Sequence, residues 1–555
     1  MAKKYGRCAN YGECTLADSH DTIESTEENF ICTECGKALR VVANAEDDEN
    51  KFKKIFQKIK KWLLPLGLIL LGIIAWIGFS SNGDTPPPPT TKMTTTSAEV
   101  KATEDNIILR IHGSNTIGAK LAPALVEAFL KEKGYTQIEK VPLRELEVLV
   151  RGKKDGSRTF DAVEIKAHGS STAFDETDEN KKVGLIGGYA DVGMSSSPIK
   201  EEAIQKFEAQ RLGNPTSRTQ EHVIALDGLA IIVNPNNPIE KLNVEDAKKI
   251  FLGEITDWSQ IGGKAGQIKL YSRDKQSGTY DTFKHLVLAG QKLECDANNP
   301  NLKCFEDSKE LSSNVASDLN GIGFIGLNYI GTTKALKISM GSGVNAISPT
   351  KFSIKTEDYP LGRRLFLYQT NQPSPLGAEF IQFALGDDGQ KVVNDSGLVE
   401  VSAMIEATVE AIYGIETDKK RILSDLAIPN AYKDLVRDAD RKDTQLNFRF
   451  TSGTSDLDNR AFRDIGRLAE KLSKSEFKGS KLILIGFADA KGDDAQNLQL
   501  SIQRANKVKE ELMAEGIEVD TVTGFGEERS LLLDPREDNN DSLGKNRRVE
   551  VWLKR

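Results

Sequence analysis

The run from Trp62 to Phe79 holds 18 consecutive residues without a charge, and it constrains the organisation of the chain more than any other feature. That length is at the lower limit for a helix that crosses a bilayer. Trp62 and Trp76 stand near its two ends, where amphipathic rings favour the membrane interface. Lysines at 51, 53, 54, 58, 60 and 61 crowd the N-terminal side, and no Lys or Arg follows until Lys92. The asymmetry predicts a cytoplasmic N-terminus, with the residues beyond 79 on the outer side of an inner membrane. A buried core helix is the competing reading, but such a helix rarely carries so one-sided a basic flank. A cleaved signal peptide is disfavoured, because about 60 residues precede the apolar core. One span rules out a transporter with many.

The span divides 555 residues into unequal parts, enough for three or four folded units. Residues 80–105 contain four consecutive prolines, Pro86 to Pro89, and then a threonine-rich stretch. Such a composition builds no core and favours extended polyproline II, so it reads as a tether. A net charge of -8 leaves no basic excess to neutralise phosphates and excludes a general nucleic-acid binder.

Ahead of the span, in residues 1–45, Cys8 and Cys14 form C-x5-C, and Cys32 and Cys35 form C-x2-C. Four thiolates in two pairs suit tetrahedral zinc. So short a segment cannot build a core of its own, and the metal would supply the folding free energy. Two disulfides are the alternative, opposed by a reducing cytosol. The pattern resembles a zinc ribbon with a widened first pair, structural because no ligand position is spare. Cys295 and Cys304 lie on the outer side and predict a disulfide there, worth about 2–3 kcal/mol in the loop-entropy model.

Residues 106–403 alternate strand-like runs with helical periods, as in a parallel α/β architecture. Ile107–Ile111, Gly187–Met194, Leu229–Val233, Ile268–Tyr271 and Ile322–Ile325 read as strands. Three loops suit oxyanions: 113–117, 169–172 and 273–279. Each sets small hydroxyl residues and free backbone N–H groups at a helix start, and Arg273 adds a charged fork. Each loop alone also reads as an ordinary cap.

The order of six segments resembles the periplasmic phosphate-binding proteins of ABC importers: G-S-N-T-I-G at 113, Y-A-D-V-G-M-S-S-S-P-I-K at 189, D-G-L-A-I-I-V-N-P-N-N-P at 227, I-F-L-G-E-I-T-D-W-S at 250, S-R-D-K-Q-S-G-T at 272 and G-I-G-F-I-G-L-N-Y at 321. The resemblance implies two α/β lobes closing over the anion at a hinge. It carries phosphate contacts onto Thr116, Ile117, Ser170, Arg273, Ser277, Gly278 and Thr279. Ser196 stands where some members carry an aspartate that accepts the proton of hydrogen phosphate. An ionised Asp only accepts and so rejects sulfate, whereas Ser both donates and accepts. The change keeps oxyanion binding and relaxes selectivity for phosphate over sulfate.

Residues 404–443 are charged, with helix-like stretches, and read as a connector. In 444–555 the periods predict β-α-β-α-β: a strand at 446–450, a helix with Leu457, Ala461, Ile465, Leu468 and Leu472 on one face and Ser455 as N-cap, a strand at 481–486, a helix at 496–514, and a strand alternating Val549, Val551 and Leu553. Asp489 and Arg504, with Asn497 between them, can bind a zwitterion; a surface ion pair is the plainer reading. The stretches F-x-S-G-x-x-x-L, G-F-A-D-A-K-G, N-L-Q-L-S-x-x-R-A, G-F-G-E-E and N-R-R-V-E-V resemble the OmpA-like peptidoglycan-binding domain. The resemblance implies that Asp489 and Arg504 hold the amino and carboxyl ends of diaminopimelate in a stem peptide, with Asn497 and Arg548 at matching positions. Phe487-Ala488 replaces a common His-Thr.

The expectation is a multidomain binding protein rather than an enzyme: zinc ribbon, one transmembrane helix, two-lobed α/β periplasmic-binding domain and α+β OmpA-like domain. It would capture phosphate or sense the envelope, with an ABC permease or a cytosolic partner of the ribbon as further contacts. The alternative is a wall-to-membrane tether whose binding domain has lost its ligand. Arg273 and Ser277 also read as a phosphatase's arginine and nucleophile, but no base lies near them. The histidines at 20, 112, 168, 222 and 285 show no metal-ligand spacing.

Overall fold

A computed structural model describes the backbone at 4–7, 22–25, 40–41 and 409–414. It describes backbone and side chains at 105–174, 183–275, 277–295, 301–341, 343–402, 415–450, 454–489, 491–535 and 544–555. The four N-terminal cysteines, the apolar run 62–79 and the tether up to residue 104 lie outside these residues. Among the described residues no helix is long and apolar enough to cross a membrane, and no cluster of three metal-ligating side chains occurs. The chain forms two compact units, 1–99 and 100–555. In the first, β1 (Lys4–Arg7) pairs antiparallel with β2 (Thr22–Ser25) and β3 (Arg40–Val41).

The second unit is built on a curled sheet of twelve strands. Its first half comprises β4 (Asn106–Gly113), β5 (Thr136–Arg144), β6 (Glu147–Lys153), β7 (Asp161–Lys166) and β8 (Val192–Ser195). β4 lies parallel between β7 and β8. α1 (Ala122–Glu132) covers it, burying Leu125, Val126, Phe129 and Leu130 in one stripe. Next, after α2 (Glu201–Ala209), comes β9, Glu221–Val233, thirteen residues of which twelve are buried. The second half carries α3 (Val244–Phe251), β11 (Lys269–Arg273), α4 (Gly278–Leu286), β12 (Leu302–Phe305), α5 (Ser308–Ser317), β13 (Gly321–Gly326) and β14 (Lys334–Ala335), and beside it β10 (Lys241–Asn243) and β15 (Lys337–Ser339) pair parallel in a separate two-stranded sheet. After α6 (Lys351–Lys355), β16 (Gly362–Tyr368) returns the chain to the first half, followed by α7 (Pro375–Leu385), α8 (Asp387–Asp395) and β17 (Val399–Glu400).

The sheet is mixed, not parallel as the alternation of elements predicts. β9 pairs antiparallel with β16 over Glu221–Gly228, then with β13 over Leu229–Val233. One long strand thus belongs to both halves, and antiparallel pairing follows from the chain running out along β9 and back along β16. The expected strand at Gly187–Met194 is confined to Val192–Ser195. Gly184 and Gly188 adopt positive φ of 88° and 71° and turn the chain just before it. Cys295 and Cys304 are joined by a disulfide, Cα atoms 5.9 Å apart.

The connector carries α9 (Val409–Ser424) and α10 (Asn430–Val436). Beyond it are β18 (Asn447–Arg449), α11 (Asn459–Leu472), β19 (Lys481–Gly486), α12 (Asp494–Ala514), β20 (Thr521–Gly524) and β21 (Arg548–Lys554). β20 is an unanticipated fourth strand, and the sheet order is β18-β21-β19-β20. Asp458, not Ser455, caps α11, accepting from the Ala461 N–H at 2.8 Å. α11 and α12 cover one face of the sheet through Leu468, Val508 and Leu512 against Leu484, Val549 and Val551. The connector covers the other: Ile422, Tyr432 and Val436 pack on Ile483, Ile485 and Trp552. The connector is therefore a third layer of the C-terminal domain.

This domain docks against β16 and the residues before it. Arg364 Nη2 lies 2.7 Å from Asp458, and its Nε 3.0 Å from Glu357. Glu357 also pairs with Arg460. Asn447 Nδ2 donates to Asp358 at 2.7 Å, and Arg449 Nη2 to the Thr356 carbonyl at 2.9 Å. Asn459 reaches Glu221 on β9 at 3.0 Å.

Candidate functional site: a cleft between the halves of the sheet

The first three predicted contact regions meet at the carboxyl ends of β4, β7 and β8, where α/β sheets bind ligands. Ser114 N–H donates to the Met194 carbonyl at 2.7 Å, and Gly169 N–H to the Gly113 carbonyl at 2.9 Å, so the three loops are stitched together through their backbones. A Cβ on Gly113 would lie 2.0 Å from Met194 O, which leaves no room for any other residue. Ser170 and Ser196 then stand side by side: their hydroxyls are 3.0 Å apart, and the Ser196 N–H donates to Ser170 Oγ at 3.0 Å. Ile117 is fully buried, so only its backbone can serve a ligand. Ser114 Oγ and Asn115 Oδ1 in the same loop are buried without a hydrogen-bond partner among the described residues.

The second half brings the last loop to meet them. Ser277 caps α4, its Oγ accepting from Thr279 N–H at 3.2 Å. Asp274 fixes the turn by accepting from Ser277 N–H at 2.9 Å. Thr116 Oγ1 donates to the Gly278 carbonyl at 3.4 Å, and a Cβ on Gly278 would come within 2.8 Å of Thr116 Cα. The two halves thus touch at the two predicted loops. This end of α4 offers N–H groups and the positive end of a helix dipole.

Two arginines compete as the charged contact. Arg273, the predicted one, donates to its own half: Nε to the Phe305 carbonyl at 3.2 Å, Nη1 to Ser308 Oγ at 2.5 Å and Nη2 to the Glu306 carbonyl at 2.6 Å. Burial pulls its pKa below the ordinary value, against Asp274 and Asp307. Arg363 on β16 was not singled out from the sequence. Its Nη2 donates to Thr116 Oγ1 at 2.7 Å and to Thr282 Oγ1, and its Nε to Asp227 Oδ2 at 3.2 Å. No motif surrounds it; the only signal is a pair of arginines in an apolar strand, which alternation must send to opposite faces.

In the C-terminal domain, Asp489 and Arg504 lie at the end of β19 and within α12. Arg504 is fully buried and donates to the Thr454 carbonyl at 3.2 Å and the Phe487 carbonyl at 3.3 Å. Burial draws its pKa down to about 10, with Asp489 opposing. Asn497 donates to Glu527 at 2.7 Å. Arg548 goes elsewhere. It stacks on Phe487 at 3.9 Å and bonds Glu550, on the face covered by the connector. The neighbouring Arg547 lies against Asp489 at 3.4 Å. Arg547, one residue before β21, faces the opposite way, so Arg547 and not the predicted Arg548 lies beside Asp489. The same layer explains the departure at 487. Phe487 packs with Tyr432 and Phe525 at ring distances of 6.2 and 6.3 Å, where a histidine would be desolvated.

Comparison with known proteins adds two family matches. The profile of the PBP superfamily domain matches residues 101–388, and that of the OmpA family residues 449–543. The phosphate-binding protein PstS of Staphylococcus haemolyticus is 31% identical over 225 residues, 39% of this chain and 67% of that protein. The phosphate-binding protein PstS of Pseudomonas aeruginosa PAO1 is 28% identical over 260 residues, 44% of this chain and 75% of its own. The crystal structure of an ABC-type phosphate transport receptor from Vibrio cholerae matches at 23% identity and a TM-score of 0.38, covering 52% of this chain and 99% of that one.

Proposed function

Because this chain belongs to the PBP superfamily through residues 101–388, we propose that it binds inorganic phosphate, or a similar tetrahedral oxyanion, in the cleft between the halves of its sheet, and peptidoglycan through its OmpA-family domain. The observation that carries the reading is the meeting of Thr116, Ser170, Ser196 and the Ser277–Thr279 turn beside two buried, unpartnered polar atoms. Hydroxyls and helix-terminal N–H groups gathered at one place are what a tetrahedral anion requires. Binding without turnover fits the relatives, which are named as binding proteins.

The rest of the reading extends the sequence argument. The apolar run 62–79 anchors the chain in the inner membrane, and the binding domains lie in the periplasm. Cys8, Cys14, Cys32 and Cys35 hold a structural zinc ion in a cytosolic ribbon, a donor set of four thiolates that suits the metal. Asp489 and Arg504 take the two ends of a diaminopimelate side chain, with Arg547 and Asn497 beside them. Tied at both ends, the phosphate domain serves capture for an ABC permease or reports occupancy to a partner of the ribbon.

Calorimetric titration of the full chain in detergent with phosphate, and separately with sulfate, tests the reading. Phosphate binding at micromolar concentration or tighter is expected. Comparable sulfate binding would assign relaxed selectivity to Ser196. Silence with both anions would sink the phosphate reading and leave a wall-to-membrane tether.

A further inference from the structure

The cleft holds a second guanidinium that the family motifs do not mark, and the geometry points to Arg363 as the one that meets the oxyanion. The inference rests on the phosphate-binding reading above. Arg273 has each of its three nitrogens engaged with the loop before α5, all on its own half of the domain. Arg363 alone, of the two, reaches groups on both sides: Thr116 from the first half, Thr282 on α4 from the second, and Asp227 on β9 between them. Its side chain is only 7% exposed, so its charge acts in a largely water-excluded space where a charged hydrogen bond is strong.

Three details support a direct contact. Among the described residues Nη1 has no partner closer than Asp281 at 3.9 Å, which leaves one edge of the fork for a ligand oxygen. Thr116 Oγ1 accepts from Nη2 here, whereas the family resemblance makes Thr116 an anion contact. A hydroxyl both donates and accepts. When an anion enters, Thr116 can turn its proton to the anion while Nη2 gives its own to another anion oxygen. Finally, Arg363 sits on β16, in register with Asp227 of β9, the strand that both halves share, so its place is set by the sheet and not by either loop. Asp227 on the neighbouring strand holds the Nε edge and fixes the fork's orientation.

The test is phosphate titration of the full chain as wild type, Arg363→Gln, Arg363→Lys and Arg273→Gln, with a thermal melt of each free protein. Loss of a charged hydrogen bond predicts affinity lowered about tenfold to a hundredfold in Arg363→Gln. Arg363→Lys should recover part of it, because charge survives but the fork does not. Arg273→Gln should lose less than Arg363→Gln. A strut between the halves would lower the melting temperature and leave the affinity of the folded protein near wild type. If wild type binds while both Arg363 variants stay within about twofold of it, this inference fails and the phosphate reading stands. If wild type itself fails to bind, the reading falls first. Should Arg363→Gln not fold, the lysine variant decides.

Discussion

Gly278 needs no left-handed backbone; what it needs is space. The Thr116 backbone lies where its Cβ would be, at 2.8 Å, and no flexible side-chain end can give way there. Gly278→Ala should therefore push the two halves apart at the loops proposed to meet the anion. Overpacking of this kind costs about 1–3 kcal/mol. It can be relieved by opening the cleft, so it should appear as about five- to hundredfold weaker phosphate binding with a melting temperature near wild type. Titration and a thermal melt check this together, and unchanged affinity would show that the contact is dispensable. At this scale the sequence was legible where motifs were dense. Thr116, Ser170, Ser196 and Ser277 to Thr279 were all placed on loops that the fold brings together. Arg363 escaped because adjacent arginines in a strand look alike in one dimension. Pleating sends Arg363 to the cleft and Arg364 to the C-terminal domain.

β9 and β16 carry both the Asp227–Arg363 pair and the docking face, and one histidine on β9 reports on the second. His222 is 5% exposed, with the Thr219 carbonyl 3.2 Å from its Nε2. Burial first, and then Arg463 of α11, push its pKa down to about 4. The folded state thus binds its proton less readily than the unfolded chain, whose histidine titrates near 6.5. Its stabilising contribution is complete above about pH 6.5 and is lost as pH falls towards 4, by about 2–3 kcal/mol. Urea denaturation at pH 7 and pH 4 should show wild type losing that much more than His222→Gln. Equal losses would mean that His222 is not buried against Arg463. The helices of the C-terminal domain were legible because 3.6-residue periodicity marks them strongly. β20 was missed because four residues, Thr521 to Gly524, give alternation too little length. The mixed sheet was missed because strand direction is set by distant partners and leaves no trace in local pattern.

Glu357 joins the two domains in a way neither family's motifs announce. Its backbone is left-handed, at φ 60°, a cost that non-glycine residues bear where the surroundings demand it. Burial works to raise its carboxyl pKa, but Arg364, Arg460 and Arg449 outweigh it and hold the group well below the usual carboxylate range. Glu357 therefore sits among three guanidinium groups drawn from both domains, Arg364 from β16, Arg449 from β18 and Arg460 from α11, and shares them with Asp458, Asp358 and Asp464. Removing a partner from such a network leaves buried charge uncompensated, typically at about 3–5 kcal/mol. Reversing the charge goes further, because Glu357→Arg would add a fourth guanidinium to a cluster left with Asp358, Asp458 and Asp464 as its carboxylates. The full chain should show residues 105–555 melting in one calorimetric transition, and Glu357→Arg should split it into two. Phosphate affinity should change little, since Glu357 bonds Arg364 and Arg460 on the docking side, whereas Arg363 on the other face of β16 is the one that reaches Thr116. A single transition at the wild-type temperature in the variant would show that the domains are held by something other than this network. A split transition with phosphate binding intact would establish docking of the two domains and binding in the cleft as separable properties.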